Sequence, residues 1–264
     1  MNKTAIGLAA CAALISTQAL GADMAVKAPP SAPPPQLYNW SGFYVGLNAG
    51  GHWSIDNDPA FISFNNNFIP VNVDLLNQLA PVKLKPSGFT GGMHVGYNWQ
   101  MTNWVYGIEA DIDGLSGSAS RNLNTPIFVD TAQFMDSARD RWMSTVRARF
   151  GWAADHWLFF VTGGVAFSDW ELDHTFTSNG GGPGEPSGTT NGHFVRTGGT
   201  AGGGIEYALN QNLLVRAEYL WAGFGTVTQV VNGAVGPFNT AFTHPQRLSE
   251  NIARVGITYK FGPQ

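Results

Sequence analysis

Eleven ionisable side chains stand in stretches otherwise apolar enough for a protein core: Glu109, Asp111, Asp113, Glu206 and Glu218 against Arg147, Arg149, Arg196, Arg216, Arg254 and Lys260. In an ordinary soluble domain such groups are costly unless each is paired. The conflict is plainest in TAGGGIEYALNQNLLVRAEYLW, Thr200 to Trp221, where Glu206, Arg216 and Glu218 interleave with Ile205, Val215, Ala217 and Tyr219. Three chemistries deserve a test on these residues. EADIDG, Glu109 to Gly114, imitates the first half of a calcium loop, with acids at positions one, three and five and glycine at six; Ser120 stands at position twelve, where the loop needs a bidentate Glu. The three acids are read instead as partners of arginines, and no metal site is assigned. GGTAGGG and NGGGPG lack the lysine and the serine or threonine of a phosphate loop. A hydrolase acting on lipid would need a serine, a histidine and an acid on adjoining lipid-side faces. Those faces are almost wholly apolar, so no catalytic residue and no cofactor are assigned, and the chain is read as a non-enzyme.

The elements that must position these charges have a period of two. In GFYVGLNAGGHW, Phe43, Val45, Leu47, Ala49 and Trp53 share one face, and Tyr44, Gly46, Asn48, Gly50 and His52 the other. GFTGGMHVGYNW repeats the pattern, with Phe89, Met93, Val95, Tyr97 and Trp99 opposite Thr90, His94 and Asn98. Further runs lie at about 104–114, 142–153, 157–169, 193–207, 213–221 and 251–261, which makes eight strands. The apolar half of each run is assigned outward, and the eleven charges collect on the inward half, five acids facing six bases.

Connection lengths decide what the outward face meets. QMTN, DH and ALNQN are short, whereas the connections between them run from about 22 to more than 30 residues. Short and long alternate, so one end of an up-and-down sheet has tight turns and the other has large loops, as in outer-membrane barrels. Trp99, Trp104, Trp152, Trp157, Tyr207 and Phe261 cluster beside the short turns and are expected to form the periplasmic-side aromatic girdle. Without water to satisfy edge amides, the first strand must pair with the last. The expected fold is all-β, an eight-stranded antiparallel up-and-down transmembrane β-barrel, with the acids and bases forming a paired network in a lumen that side chains fill.

Bulk properties agree. The chain has 264 residues, 44% hydrophobic and 12% charged, with 33 glycines, a mixture suited to many strands and open loops rather than helical bundles. Lys3, the apolar run Ala5 to Ile15 and the small residues Ala19-Leu20-Gly21 read as a cleavable secretory signal over residues 1–21. Cys11, the single cysteine, falls inside that apolar run, so the lipobox-like Leu8-Ala9-Ala10-Cys11 is discounted and the mature chain is expected to lack a thiol. Residues 22–37, with APPSAPPP, read as an extended linker, and 38–264 as the barrel. Loss of Lys3 takes the formal net charge from −4 to −5, which argues against a nucleic-acid partner. In the first long connection VDLLNQLA suggests a short amphipathic turn, packed on its own loop or lying at the membrane surface.

WSGFYVGLNAGGHW, WLFFVTGGVAF, GGGIEYALNQNLLVRAEYLWAGFG and RVGITYKFG resemble the Omp25/Omp31 group of alphaproteobacterial outer-membrane proteins, over roughly Trp40 to Phe261. The resemblance implies an eight-stranded barrel in the Gram-negative outer membrane, in contact with lipid and lipopolysaccharide, with surface loops open to host or ligand contacts. It also implies recognition by the barrel assembly machinery through the terminal aromatic segment, here Tyr259 to Phe261, although Gly262-Pro263-Gln264 follow it. Some members of the group are described as surface antigens or hemin binders. On that hint His52, His174, His193 and His244, near the loop end, are the candidates for hemin ligands. The functional expectation is a structural role in the envelope with loops for interaction; the alternatives are a small porin and a hemin or ligand receptor.

Overall fold

Strand alternation turns every second side chain to the same face, and in this chain it produces two chemically opposed surfaces. The computed structural model describes residues 38–54, 61–63, 78, 84–127, 130–178, 187–235 and 238–262. The signal, the proline-rich linker, most of VDLLNQLA and NGGGPG lie outside the described residues. The strands are β1 (Gly42–Ser54), β2 (Phe61–Ser63), β3 (Ser87–Met101), β4 (Trp104–Ile127), β5 (Asp130–Ala154), β6 (Trp157–Ser178), β7 (Ser187–Ala208), β8 (Leu213–Val235) and β9 (Phe238–Phe261). All but β2 form one antiparallel ring in chain order, closed by β1 against β9 from Phe43↔Phe261 to Ser54↔Glu250. β2 is a three-residue addition on β9, Phe61 opposite Thr243. Ring closure leaves no unpaired strand edge in the lipid layer. No helix long and apolar enough to cross a membrane occurs among the described residues.

The outer surface is apolar. Leu47, Ile108, Val146, Val161, Ile257 and Val255 are all exposed, while Arg147 on the inner face is 1% exposed. Aromatic rings band this surface at the short-turn end: Trp99 stacks on Tyr106, Trp104 on Phe150, Trp152 on Phe159, and Trp157 meets Tyr207 at 4.6 Å. Phe43 and Phe261 carry the band across the closure at 5.7 Å. A second set, Trp53, Phe89, Phe167, Tyr219 and Trp221, is exposed toward the opposite end. From Trp157 to Phe167 along β6 is ~33 Å of strand at ~3.3 Å per residue. Tilted by about 40°, that is close to the ~25 Å apolar band of such barrels.

The short turns follow from local chemistry. Thr102 and Asp155 take left-handed backbone (φ 57° and 55°) in two-residue turns. In the third, Asn210 Oδ1 accepts hydrogen bonds from the amides of Asn212 and Leu213, each 2.9 Å, and Asn212 Nδ2 donates to the Lys260 carbonyl. Asparagine is suited to such turns because its side chain mimics a backbone acceptor.

At the other end the structure differs from the sequence reading. Three of the long connections are not loops but continuations of the strands as hairpins. β4 and β5 stay paired to Ile127↔Asp130, β6 and β7 to Thr177↔Ser187, and β8 and β9 to Val235↔Phe238. Backbone pairing persists after the lipid-driven alternation stops, because hydrogen bonding across a hairpin needs no apolar face. Register shifts occur where the hairpins leave the membrane band, between Gly114 and Gly117, Asp140 and Trp142, and Gly223 and Gly225, the last glycine having φ 75°.

Inside, three layers follow one another along the barrel. Beside the short turns, Trp40 and Tyr38 fold into the lumen and pack with Val105, Ala153, Leu158, Phe160, Ala208 and Leu214. The ion-paired layer comes next. Beyond it lies a second apolar cluster that includes Met143, Trp170, Leu220, Phe224 and Ile252. Glycine makes room where a large inward side chain crosses the narrow lumen: a Cβ at Gly96 would overlap the Tyr44 phenol and the Ile108 carbonyl. Gly96→Val should therefore displace Tyr44 and lower stability by about 1–3 kcal/mol, as overpacking does, read from the urea midpoint of the barrel in detergent; an unchanged midpoint would mean that Tyr44 is not held there.

Candidate functional site

β4 and β5 set acids opposite bases on the inner face, with Glu109 registered against Arg147; β8 adds Arg216 and Glu218, and Glu218 is registered against Arg254 of β9. Arg147 is the hub. It donates from Nη2 to Glu109 Oε1 (2.6 Å) and Asp111 Oδ2 (2.7 Å), and from Nη1 to Glu218 Oε1 (2.6 Å) and Thr162 Oγ1 (2.9 Å). Arg216 reaches Glu109 Oε2 at 2.9 Å, Glu218 Oε2 at 3.2 Å and Glu206 Oε1 at 3.6 Å. Arg254 donates to Glu218 Oε2 (2.7 Å) and Asp111 Oδ2 (2.6 Å), and pairs with Asp113. Arg149 holds Glu206 Oε1 at 2.9 Å and donates to the Tyr44 hydroxyl at 3.0 Å, which itself donates to Glu109 at 2.8 Å. Its guanidinium lies 4.3 Å from the Phe160 ring centroid, joining the charged layer to the apolar one below. The three acids of EADIDG thus face guanidinium groups, each of them buried.

Two of the bases read from the sequence stand elsewhere. Arg196, on β7, is half-buried with its guanidinium 5.1 Å from the Phe194 ring centroid. Lys260 points to the short-turn end, where its ammonium donates to the Asn39 carbonyl and lies 4.6 Å from the Tyr38 ring centroid. Parity along a strand fixes which face a residue occupies but not its height. The ionic layer therefore contains Glu109, Asp111, Asp113, Glu206 and Glu218 with Arg147, Arg149, Arg216 and Arg254, one acid in excess among the described residues.

Of the four loop-end histidines, three are turned into the barrel. His52 Nδ1 lies 2.8 Å from Glu250 Oε1 and 3.2 Å from Asp140 Oδ2. His174 Nδ1 is 2.8 Å from Asp136 Oδ1 and its ring stacks on His244 at 4.5 Å. His193 is exposed and reaches Asp169 at 2.8 Å. The inward plug of Tyr38 and Trp40 and the cluster of His52, Asp140 and Glu250 are not legible from strand periodicity, because each joins residues distant in sequence. The second aromatic band is different: Trp53, Phe89 and Phe167 each lie ten residues from an aromatic of the first band, Phe43, Trp99 and Trp157, a spacing the sequence carries.

The sequence as a whole resembles known proteins. Residues 9–261 match the outer membrane protein beta-barrel domain family. The 31 kDa outer-membrane immunogenic protein of Brucella melitensis is 30% identical over 96% of this chain and 98% of its own length. The 25 kDa outer-membrane immunogenic protein of Brucella abortus is 25% identical over 98% of each. Among solved structures, Neisserial surface protein A aligns over 84% of this chain and 98% of its own, with 12% identity and a TM-score of 0.38. The chain is an outer-membrane protein in contact with membrane lipid, and it belongs to the outer membrane β-barrel family, in the Omp25/Omp31 group.

Proposed function

We propose that this protein is a non-conducting, non-enzymatic structural element of the outer membrane that holds three long hairpins beyond the lipid layer. The observation that carries this reading is the filled lumen. Water and ions would have to cross an apolar plug around Trp40, four guanidinium groups locked to five carboxylates, and a second apolar cluster around Trp170. A porin of 16 or more strands leaves an aqueous channel, whereas a ring of eight is filled by side chains. Among the described residues the lipid-facing side chains are largely apolar and offer anchoring surface. Work of recognition then falls to the hairpins, the parts that stand in the surroundings of lipopolysaccharide and of a host; the relatives' description as immunogenic supports exposure of this region. A leader over residues 1–21 and recognition of Tyr259 to Phe261 by the assembly machinery complete the route to the membrane. A hemin site at His52, His174, His193 and His244 draws no support from their placement, since three of them are engaged within the barrel.

Planar-bilayer recording tests the proposal. Barrel whose folding is verified by its shifted band on unboiled gels should give no unit openings. Steady openings from that same material would show a water path through the charged layer and replace the structural reading with a small porin.

A further inference from the structure

One inward cluster is unlike the paired layer. His52 of β1, Asp140 of β5 and Glu250 of β9 meet at the mouth of the lumen, all three side chains wholly buried. Their surroundings are apolar: Asp140 is registered against Trp170 and Glu250 against Ala222, both members of the upper cluster. Glu250 is partly satisfied, since Ser54 Oγ donates to its Oε2 at 2.7 Å. Asp140 is not. Among the described residues neither of its oxygens has a hydrogen-bond partner, and it pairs with the same His52 Nδ1 that already lies on Glu250. A single N–H cannot satisfy two carboxylates at once, and a buried carboxylate without a donor needs an explanation.

The geometry points to a site for a divalent transition cation, Zn²⁺ in chemistry, bound by His52 Nδ1 and by one oxygen each of Asp140 and Glu250. The three candidate ligand atoms lie within 4.8 Å of one another, with nitrogen-to-oxygen separations of 2.8 and 3.2 Å. A tetrahedral shell with ligands at about 2.0–2.1 Å has edges of about 3.3–3.4 Å, so a small spreading of these side chains admits the ion. One imidazole and two carboxylates form a donor set that zinc accepts, and three protein ligands leave its fourth position open. The cation would offset both carboxylates and leave His52 neutral, where a lone imidazolium offsets one.

Access is built into the wall. The register shifts at Gly114/Gly117 and at Asp140/Trp142 open a cleft of about 390 Å³ lined by Leu115, Ser116, Gly117, Ser118, Asp140 and two arginines. Asp140 belongs to both the cleft and the cluster, and Gly117 lines the cleft beside it. A Cβ at Gly117 would stand 2.5 Å from His52 Cε1, 2.8 Å from Asp140 Oδ1 and 2.9 Å from His52 Nε2, so the absence of a side chain there lets the imidazole and the carboxylate converge against that backbone. Bulges often re-aim side chains in this way at functional positions.

The test uses protein extracted from outer membranes in detergent and stripped with a chelator, titrated with Zn²⁺ by calorimetry and with Co²⁺ in the visible. The expected result is saturable 1:1 Zn²⁺ binding, a rise in melting temperature that Mg²⁺ does not reproduce, and a Co²⁺ spectrum of four-coordinate type. Asp140→Asn should weaken binding at least tenfold and abolish the Co²⁺ spectrum, whereas His156→Gln and His193→Gln, which remove exposed imidazoles, should leave both intact. If Asp140→Asn does not fold, Glu250→Gln takes its place. Absence of saturable binding by the folded, stripped protein, or binding unaltered in a folded Asp140→Asn or Glu250→Gln variant, would reduce the cluster to an ion-paired histidine and overturn the proposal.

Discussion

Arg147→Ala lowers the stability of the barrel by about 3–5 kcal/mol, the range expected when one partner of a buried ionic group is removed. The argument rests on its contacts. Arg147 serves Glu109, Asp111 and Glu218 together, and these acids lie 2–5% exposed. The remaining guanidiniums cannot compensate: Arg216 and Arg254 are already shared among the same acids, and Arg149 is engaged with Glu206 and Tyr44. With five acids against four arginines, the loss leaves two negative charges in excess within the described layer. Arg196→Ala is the internal control, expected to shift stability by less than about 1 kcal/mol because Arg196 stands outside the layer and is only half-buried. Unfolding midpoints in urea, followed by tryptophan fluorescence in detergent micelles, separate the two. Equal midpoints would mean that water solvates the layer.

The second large effect concerns pH and the hairpins rather than the membrane band. His244 is stacked on His174, with Asp136 near, and burial followed by the neighbouring His174 lowers its pKa to about 4. The unfolded imidazole titrates near 6.5, so between roughly pH 6.5 and 4 the open hairpin binds the proton that the closed one refuses. Stability from this residue is complete above about pH 6.5 and falls as the pH drops through that window, by about 2 kcal/mol at pH 5 and about 3 kcal/mol below pH 4. Amide exchange in the β6–β7 and β8–β9 hairpins should therefore accelerate at pH 5 relative to pH 7.5, beyond the intrinsic change in exchange rate, while strand amides of the membrane band stay protected. His244→Phe keeps the stack without a titrating group and should remove most of the difference. Acceleration of the same size in that variant would assign the effect to other groups.

Both effects start from side chains that the sequence displays, yet only part of their arrangement is legible there. The lipid-facing half of each strand is clear because lipid imposes a strict rule: Trp157, Phe159, Val161, Val165 and Phe167 leave no doubt about face or period. The hairpin extensions are obscure because that rule ceases above the membrane. Ser118, Ser120, Asn122 and Asn124 on β4 and Thr175, Thr177, Ser187 and Thr189 on β6 and β7 put polar side chains on the face that is apolar in the membrane band, and the sequence then looks like loop. Height is the other hidden quantity. Arg196 and Lys260 share parity with the ionic layer, but strand tilt and register place one above it and the other below. His52, Asp140 and Glu250 illustrate the converse, three residues far apart in the chain that tilt and two bulges bring together.

The plug at the short-turn end also sets an order of events. Trp40 donates to the Asp155 carbonyl across 115 residues of chain, and Tyr38 to the Gln211 carbonyl across 173. Contacts of such separation form late, because the intervening chain must first be arranged. Strands β5 to β8 have to be in place before either ring finds its seat, although both rings precede β1 in the chain. Burial of the Trp40 indole is accordingly a clock for completion of the ring: its fluorescence should change after the bulk of strand signal has appeared, so that residues ahead of the first strand report the last step of assembly.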